Sequence, residues 1–528
     1  MRQRDTALKG DRLASISILV ALAPLLGIVA LLCLLFAPFK FLPAEDAAIL
    51  FQYSKNLYLS GSISYNINGP HSEGATDFVL MILLSFSYWF KSNPFIVSAI
   101  LSSCCLLGTS IALFRLAGTR PTVSSCLALS GVYLLLPQFS ASVSGFGVLP
   151  FCFGLTLLGV AFYSDQPVQI ASAALFVSLL RPDGVIFSLT LIVIAAIKSP
   201  TKKKTLFAFF LFYFVPGVIY FIWRANYFGE FLPLPFYVKS QADRFAGILV
   251  LESFVGIIPY FICCAIVFAY LKPLPRFPEP SFGLLVSFII VPSCFYLYMN
   301  LTQNIGDRFF AYIPISLALI VARDWRLLDL KKAVAALLAC LVVLLPKTCI
   351  ALSNFRVFQF DNRRDMALAL KRIGQGTMIV TEAGFLPYYS DWPTVDSWGL
   401  NSAEFAHRLI QPEDVKRLSP DIVMVHVDGT IEPTPQADWP RAYQKRSSVN
   451  IAKNLIMGAT RDGYSGWVLP YGSVSYQKSH GITLEQGDVE YWYVYPRSRY
   501  YSKIVNIIRT HAGAPIEEFD KAKAWPVK

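Results

Sequence analysis

The stretch PAEDAAILFQYSKNLYLSGSISYN, residues 43–66, decides how the chain is read. It opens with two adjacent acids, Glu45 and Asp46, directly after an apolar run that ends near Phe41. It then carries Ile49, Leu50, Tyr53 and Leu57 at helical spacing and stops at Gly61. That pattern predicts an amphipathic helix lying on a membrane surface, at the point where a spanning helix leaves the bilayer. Asp46 falls at its N-terminus, where the helix dipole favours a negative charge. Acids at a helix start are also ordinary caps, so the surroundings must decide between structure and chemistry.

The surroundings are those of a membrane protein. The 528 residues are 55% hydrophobic and only 15% charged, against roughly 45–50% and 25% in a soluble domain. The apolar excess lies between Ser15 and Leu352, whereas 353–528 has the mixed charge and Gly/Pro turns of a soluble unit. The net charge is +12. It is explained by Lys and Arg in the loops that orient membrane proteins. No basic domain with interleaved aromatics points to nucleic acid. The ten cysteines lie in or beside apolar runs, in no metal-site or disulfide spacing, and read as packing residues.

A span needs about 20 apolar residues, and on that measure roughly eleven segments qualify. They are 15–37, 76–91, 94–114, 122–139, 144–163, 168–197 (broken at LLRPDGV), 205–223, 246–271, 281–300, 309–322 and 332–351. The basic N-terminus precedes a retained first helix rather than a cleaved signal. The Lys/Arg-rich loops 198–204, 272–280 and 323–332 then fall on the cytoplasmic side. An odd number of spans places the C-terminal unit outside. Arg115 and Arg120 fall on the outer side, against the rule. The expected architecture is a polytopic α-helical membrane domain, 1–352, with a first outer loop at 38–75. An extracytoplasmic α/β domain, 353–528, follows. In that domain NRRDMALALKRIG reads as a helix, and TMIVTEAG, DIVMVHVDG, GITLE and VEYWYVYP read as strands.

The outer loops collect ionisable side chains at membrane level. SYNINGPHSEGATDF (64–78) brings His71, Glu73 and Asp77; the 223–240 loop brings Arg224, Glu230, Tyr237 and Lys239; NIGDRFFAYIP (304–314) brings Asp307 and Arg308. A single base there is an interfacial snorkeller. Acids, bases and aromatics converging on one face are costly and point to function. Arg181 and Asp183, in RPDG, have a competing use in satisfying backbone freed by the helix break. A lone loop histidine such as His71 is commonly just exposed.

EDAAILFQYSKNLYLSGSISYNINGPHSEGATDF resembles the first outer loop of GT-C glycosyltransferases. Within that class it is most similar to the actinobacterial arabinofuranosyltransferases that add terminal β-(1→2) units from a decaprenyl-phosphate donor. The shared positions are Asp46, Ala47, Phe51, Tyr53, Asn56, Leu57, Gly61, Tyr65, Asn66, Glu73, Gly74 and Thr76. LLRPDG (179–184), NYFGEFLPLPFYVK (226–239), RFFAYIP (308–314) and TEAGFLPYYSDWPTVDSWGLNS (381–402) resemble later family motifs in the same order. The chain departs where Glu45 replaces an Asp, where SGFGVLPF (144–151) lacks a Glu, and where LPLPFY lacks an Asn.

The resemblance implies an inverting transfer of a sugar, arabinofuranose being one candidate. The donor would be a polyprenyl phosphate and the acceptor an extracytoplasmic glycan or protein at the bacterial inner membrane. Asp46 is the expected general base, with Glu45 orienting the acceptor or sharing that role. Arg224, Lys239 and Arg308 are the expected partners of the donor phosphate. Tyr53, Glu73, Tyr237 and Asp307 are expected to contact sugar or acceptor. TEAGFLPYYSDW is the face of the C-terminal domain expected to lie over the site, where Glu382 and Asp391 could equally be ordinary loop acids. No cofactor is required. Glu45 with Asp46 could bind a divalent ion, which a monophosphate donor does not need. The alternative reading is a flippase for lipid-linked sugar, disfavoured by acids at the boundary rather than mid-membrane and by the lack of repeated halves.

Overall fold

The computed structural model describes residues 42–241, 248–270, 279–299, 301, 304–324, 329–358, 361–427, 447–470, 489–511 and 514–515. It is a multi-pass helical membrane protein with a C-terminal α/β unit. Five described helices are long and apolar enough to cross a membrane: Pro94–Leu116, Lys202–Phe228, Ser253–Tyr270, Ile305–Asp324 and Lys331–Phe355. This corrects the expectation of about eleven. Phe78–Trp89, Val148–Tyr163, Pro167–Leu180, Gly184–Lys198 and Ser281–Leu297 are apolar but shorter. The expected span 122–139 divides into Val123–Tyr133 and Gln138–Val143. The expected first span, 15–37, lies outside the described residues, as do the strand GITLE and parts of the loops 272–280 and 323–332.

Local chemistry sets the helix limits. Asn93 accepts from Phe95 N at 3.0 Å ahead of Pro94, and Thr122 forms a reciprocal capping box with Ser125. The break at Arg181–Asp183 falls where RPDG predicted it, because Pro182 cannot donate to the helical ladder. At Gly184 any Cβ would overlap Val177 O. The two wide helical turns, Phe210–Phe214 and Val286–Ile290, both immediately precede a Val-Pro pair, Val215-Pro216 and Val291-Pro292. Proline's missing amide is accommodated by widening the turn rather than by ending the helix. The outer face of Lys202–Phe228 exposes Phe207, Phe210, Phe214, Ile219 and Ile222, an apolar surface suited to lipid.

Inside the bundle, Phe187 stacks edge-on with Phe151 at 5.6 Å, Phe288 at 5.9 Å and Tyr312 at 5.4 Å, at the centre of the largest core. A second core joins the bundle to the C-terminal unit. It unites Phe51, Tyr53, Tyr65 and Leu84 with Met366, Leu386, Trp392 and Trp492. The helix predicted from residues 43–66 is present as Glu45–Ser60, capped by Gly61 in the left-handed region at φ 69°. It does not lie on the surface. Leu50, Phe51, Tyr53 and Asn56 are buried, and Phe51 packs on both Phe95 of the bundle and Tyr388 of the C-terminal unit. What read as an apolar face for lipid is the seam between the two halves.

The C-terminal unit is a six-stranded sheet in the order β2-β1-β3-β5-β4-β6. The strands are β1 (Met378–Val380), β2 (Thr394–Asp396), β3 (Ile422–Val427), β4 (Ser465–Pro470), β5 (Val489–Val494) and β6 (Ala514–Pro515). β1 runs parallel to β2 and β3, and the remaining pairs are antiparallel. Helices cover both faces. Arg363–Ile373 and Tyr501–Thr510 supply side chains to the core shared with the bundle, and Ser448–Arg461 packs on the other face. The expected domain boundary at 352 falls inside the helix Leu330–Phe358, so the α/β unit begins after that helix.

Candidate functional site

Two backbone devices bring charge to one end of the bundle. The first is the RPDG break. Arg181 leaves its helix extended and grips Asp183 with both arms, Nε to Oδ1 at 3.0 Å and Nη2 to Oδ2 at 2.8 Å; Tyr296 donates to the same carboxylate. The second is the turn Ile305–Phe310. Gly306 and Asp307 both adopt left-handed backbone, at φ 58° and 52°. A side chain at Gly306 would overlap Ser140 Oγ, so only glycine serves there. Asp307 is held by Tyr260 (2.8 Å) and Lys347 (2.7 Å), an arrangement that offsets the cost of its conformation.

That turn aims Arg308 at Asp46, with Nη2 3.4 Å from Oδ2. The guanidinium stacks 4.0 Å from the Phe146 ring and 5.2 Å from that of Phe309. Arg181 also lies 5.2 Å from the Phe309 ring, and Lys239 Nζ lies 5.5 Å from it. Three cations therefore surround one aromatic ring. Arg181 is matched by Asp183. Arg308 Nη1 is buried without a hydrogen-bond partner, and among the described residues Lys239 makes no ion pair. Burial, with Arg308 and Arg181 as like charges, pulls the Lys239 ammonium down to about 8. Asp77 borders the same cluster, and burial raises its carboxyl although Arg181 opposes the shift. The Asp46 side chain is 27% exposed against 10% for Arg308, so the carboxylate stands at the accessible edge and the guanidinium beneath it.

Glu45 points to other partners than Asp46. Its Oε1 accepts from Gly384 N at 2.8 Å and Phe385 N at 3.0 Å, capping the helix Phe385–Ser390 of the C-terminal unit. A Cβ on Gly384 would overlap the Glu45 backbone oxygen. Burial raises the Glu45 carboxyl to about 7; Arg363 opposes that and Asp46 adds to it. Arg363 is itself buried among Asp361, Glu382 (3.3 Å) and Glu490 (3.4 Å). Glu382, the more exposed of these acids at 25%, has its carboxyl raised by burial and by Glu45 and Asp46.

The structure thus brings together Asp46, Lys239 and Arg308 of the sequence-predicted set, with Glu45 adjacent. The others are bonded elsewhere. Arg224, expected at the phosphate, pairs with Glu73, both being buried, and donates to Phe231 O at 2.7 Å. Tyr53 bonds Ser72 Oγ at 2.9 Å and accepts from Gly74 N at 3.0 Å. Tyr237 accepts from Leu232 N at 3.2 Å, and Asp307 is held by Tyr260 and Lys347. His71 stacks on Tyr227, and Asp391 pairs with Lys55 and Lys371. Many positions shared with the resembled family are architectural. Tyr65 donates to Ala383 O at 2.6 Å, and the Asn66 amide pairs both ways with the Thr394 backbone at 2.8 and 2.9 Å. Gly74 leaves room for Leu400 and Asn401.

Arg181, Asp77, Phe146 and Phe309 are the members of the site that sequence reasoning undervalued. The signal for Arg181 was present in RPDG, and that for Phe309 in the adjacency of Arg308 to two phenylalanines. Among the described residues no group of three or more His, Cys, Asp or Glu side chains is arranged to hold a metal ion. Chemically, the arrangement offers a carboxylate able to take a proton, beside cations able to hold an anion at the end of an apolar bundle. A family described as "Domain of unknown function (DUF8728)" matches residues 354–471, within the last helix of the bundle and the α/β unit. No curated protein matches the chain.

Proposed function

We propose that this protein is a GT-C-type glycosyltransferase of the bacterial inner membrane. It moves a sugar, arabinofuranose being one candidate, from a polyprenyl-phosphate donor to an extracytoplasmic glycan or protein acceptor. The N-terminus is cytoplasmic and the α/β unit extracytoplasmic in this reading. The observation that carries it is Asp46 at the accessible edge of the Arg308–Lys239–Arg181 cluster, next to apolar helices that could keep a polyprenyl tail in lipid.

In the reaction an acceptor hydroxyl oxygen forms a bond to C1 of the sugar and loses its proton to the Asp46 carboxylate. The bond from C1 to the phosphate oxygen breaks, and its electron pair stays on the phosphate. The departing polyprenyl phosphate is already ionised, so it needs charge stabilisation rather than a proton. Arg308 and Lys239 supply that charge in a site of low polarity. Direct displacement inverts C1. Arg224 is spent on Glu73, so it has no part in this scheme, and Glu45 serves as a mount for Asp46.

The test is sugar transfer by the full chain in lipid nanodiscs, with a panel of polyprenyl-phosphate sugars as donors. Transfer from one of them supports the reading and names the sugar. Absence of transfer from every donor, with lipid-linked sugar moved across a liposome bilayer, replaces it with the flippase reading.

A further inference from the structure

Lys239 is not carried by a spanning helix. It sits on the short helix Leu234–Gln241, which follows the left-handed turn at Gly229, φ 72°. The apolar seat of that helix belongs to the C-terminal unit. Leu234 and Val238, one turn apart, are buried against Ala406 of the helix Ala403–His407, with Tyr237 and Leu400 alongside. The Tyr237 ring lies 4.6 Å from that of His407, and His407 Nε2 is 2.8 Å from Glu230 Oε1. The Tyr237 hydroxyl accepts from Leu232 N, and Arg224 grips the Glu230 and Phe231 carbonyls. The loop 229–233 is thus clamped from the bundle by Arg224 and from the C-terminal unit by His407. Lys239 projects beyond that clamp to the Phe309 ring.

We propose that the C-terminal unit completes the anion site, with His407 as a positioning residue that acts through Glu230 and Tyr237. The His407–Glu230 contact and the Ala406 seat fix the helix that presents Lys239. Losing them removes the Lys239 grip on the bound anion without touching Arg308. Asp46 is mounted in the same way, through the Glu45 cap on Gly384 and Phe385. Two of the three converging groups therefore owe their placement to the α/β unit. Only the identity of the anion, a polyprenyl monophosphate, rests on the glycosyltransferase reading; the positioning claim does not.

The experiment uses the full chain in nanodiscs and two readouts. The first is reductive methylation of Lys239, followed by mass spectrometry. His407→Ala should speed it several-fold, Glu230→Ala, which removes the acceptor, should do the same from the bundle side, and His407→Gln, which keeps a donor to Glu230, should restore most of the protection. Glu230→Ala leaves the α/β unit intact and carries the test if His407→Ala fails to fold. The second readout is binding of undecaprenyl or decaprenyl monophosphate. His407→Ala should weaken it about tenfold, the scale of one charge-assisted contact. His407→Ala on top of Lys239→Met should weaken it no further than Lys239→Met alone. Unchanged methylation in both variants, or additive losses in binding, overturns the proposal. Faster methylation with no polyprenyl phosphate bound by the unmodified protein leaves the positioning intact and removes the glycosyltransferase reading instead.

Discussion

Two charged regions meet at the first turn of the helix Glu45–Ser60, and they are built in opposite ways. On the bundle side, Arg181, Lys239 and Arg308 surround Phe309, and a buried arm of Arg308 has no partner. On the C-terminal side, a single buried guanidinium, Arg363, serves Asp361, Glu382 and Glu490, with Glu45 close by. In the first region a buried arm of Arg308 lacks a hydrogen-bond partner and Lys239 makes no ion pair among the described residues, so both can take an incoming anion. The second has more carboxyls than guanidinium, and burial raises the carboxyls of Glu45, Glu382 and Glu490. Asp46 belongs to the first region and Glu45 to the second, although they are neighbours in sequence. Adjacent residues on a helix point about 100° apart, so one acid can mount the helix while the other works.

The sharpest way to break this contrast is Arg363→Met. It leaves buried acids without their shared cation, a loss on the order of 3–5 kcal/mol. A large fall in thermal unfolding temperature in detergent is the expected result; an unchanged one would mean that the acids do not depend on Arg363. Gly384→Ala comes next. The added methyl overlaps Glu45 and must push the two halves apart, at about 1–3 kcal/mol for overpacking. Thermal unfolding measures it, and wild-type stability would refute the close approach.

Glu490→Gln gives the smallest effect, and one that depends on pH. Burial raises both Glu45 and Glu490 from 4.5 to about 7. Between those values the folded chain holds more protons than the unfolded chain. Their contribution is therefore fully present below pH 4.5 and is lost as pH rises towards about 7. An amide at 490 keeps an acceptor for Trp492, which bonds Glu490 Oε2 at 3.0 Å, and has no proton to lose. The variant should be more stable than wild type above pH 7 and nearly equal at pH 5. Equal curves at both would show that Glu490 holds no proton.

Much of this architecture was legible in local pattern. Helical spacing and Gly61 located the helix Glu45–Ser60, RPDG located the break, and alternating apolar residues located β1, β3 and β5. What escaped depends on partners far away in the chain. Glu45 reads as a cap or a catalyst until its amides, on Gly384 and Phe385, are seen to lie in the other half of the protein. Arg224 and Glu73 both read as ligands because nothing local says that each is the other's partner. Among the described residues, Val148–Tyr163 read as a full span because it is apolar, but neighbouring helices bury most of it, and hydropathy does not separate such burial from contact with lipid. The helices Ser448–Arg461 and Tyr501–Thr510, and strand β4, were missed although their apolar spacing is regular.

The most direct measurement is turnover of Asp46→Asn beside Glu45→Gln in the same nanodiscs, with donor binding followed in parallel. Loss of a positioned base costs about 10²–10⁴-fold, so Asp46→Asn should bind donor and fail to transfer by that factor. Glu45→Gln resembles the protonated form of Glu45, keeps an acceptor for Gly384 and Phe385, and should retain most of its turnover. Full turnover by Asp46→Asn, or a loss confined to Glu45→Gln, would contradict the division of labour drawn between the two acids.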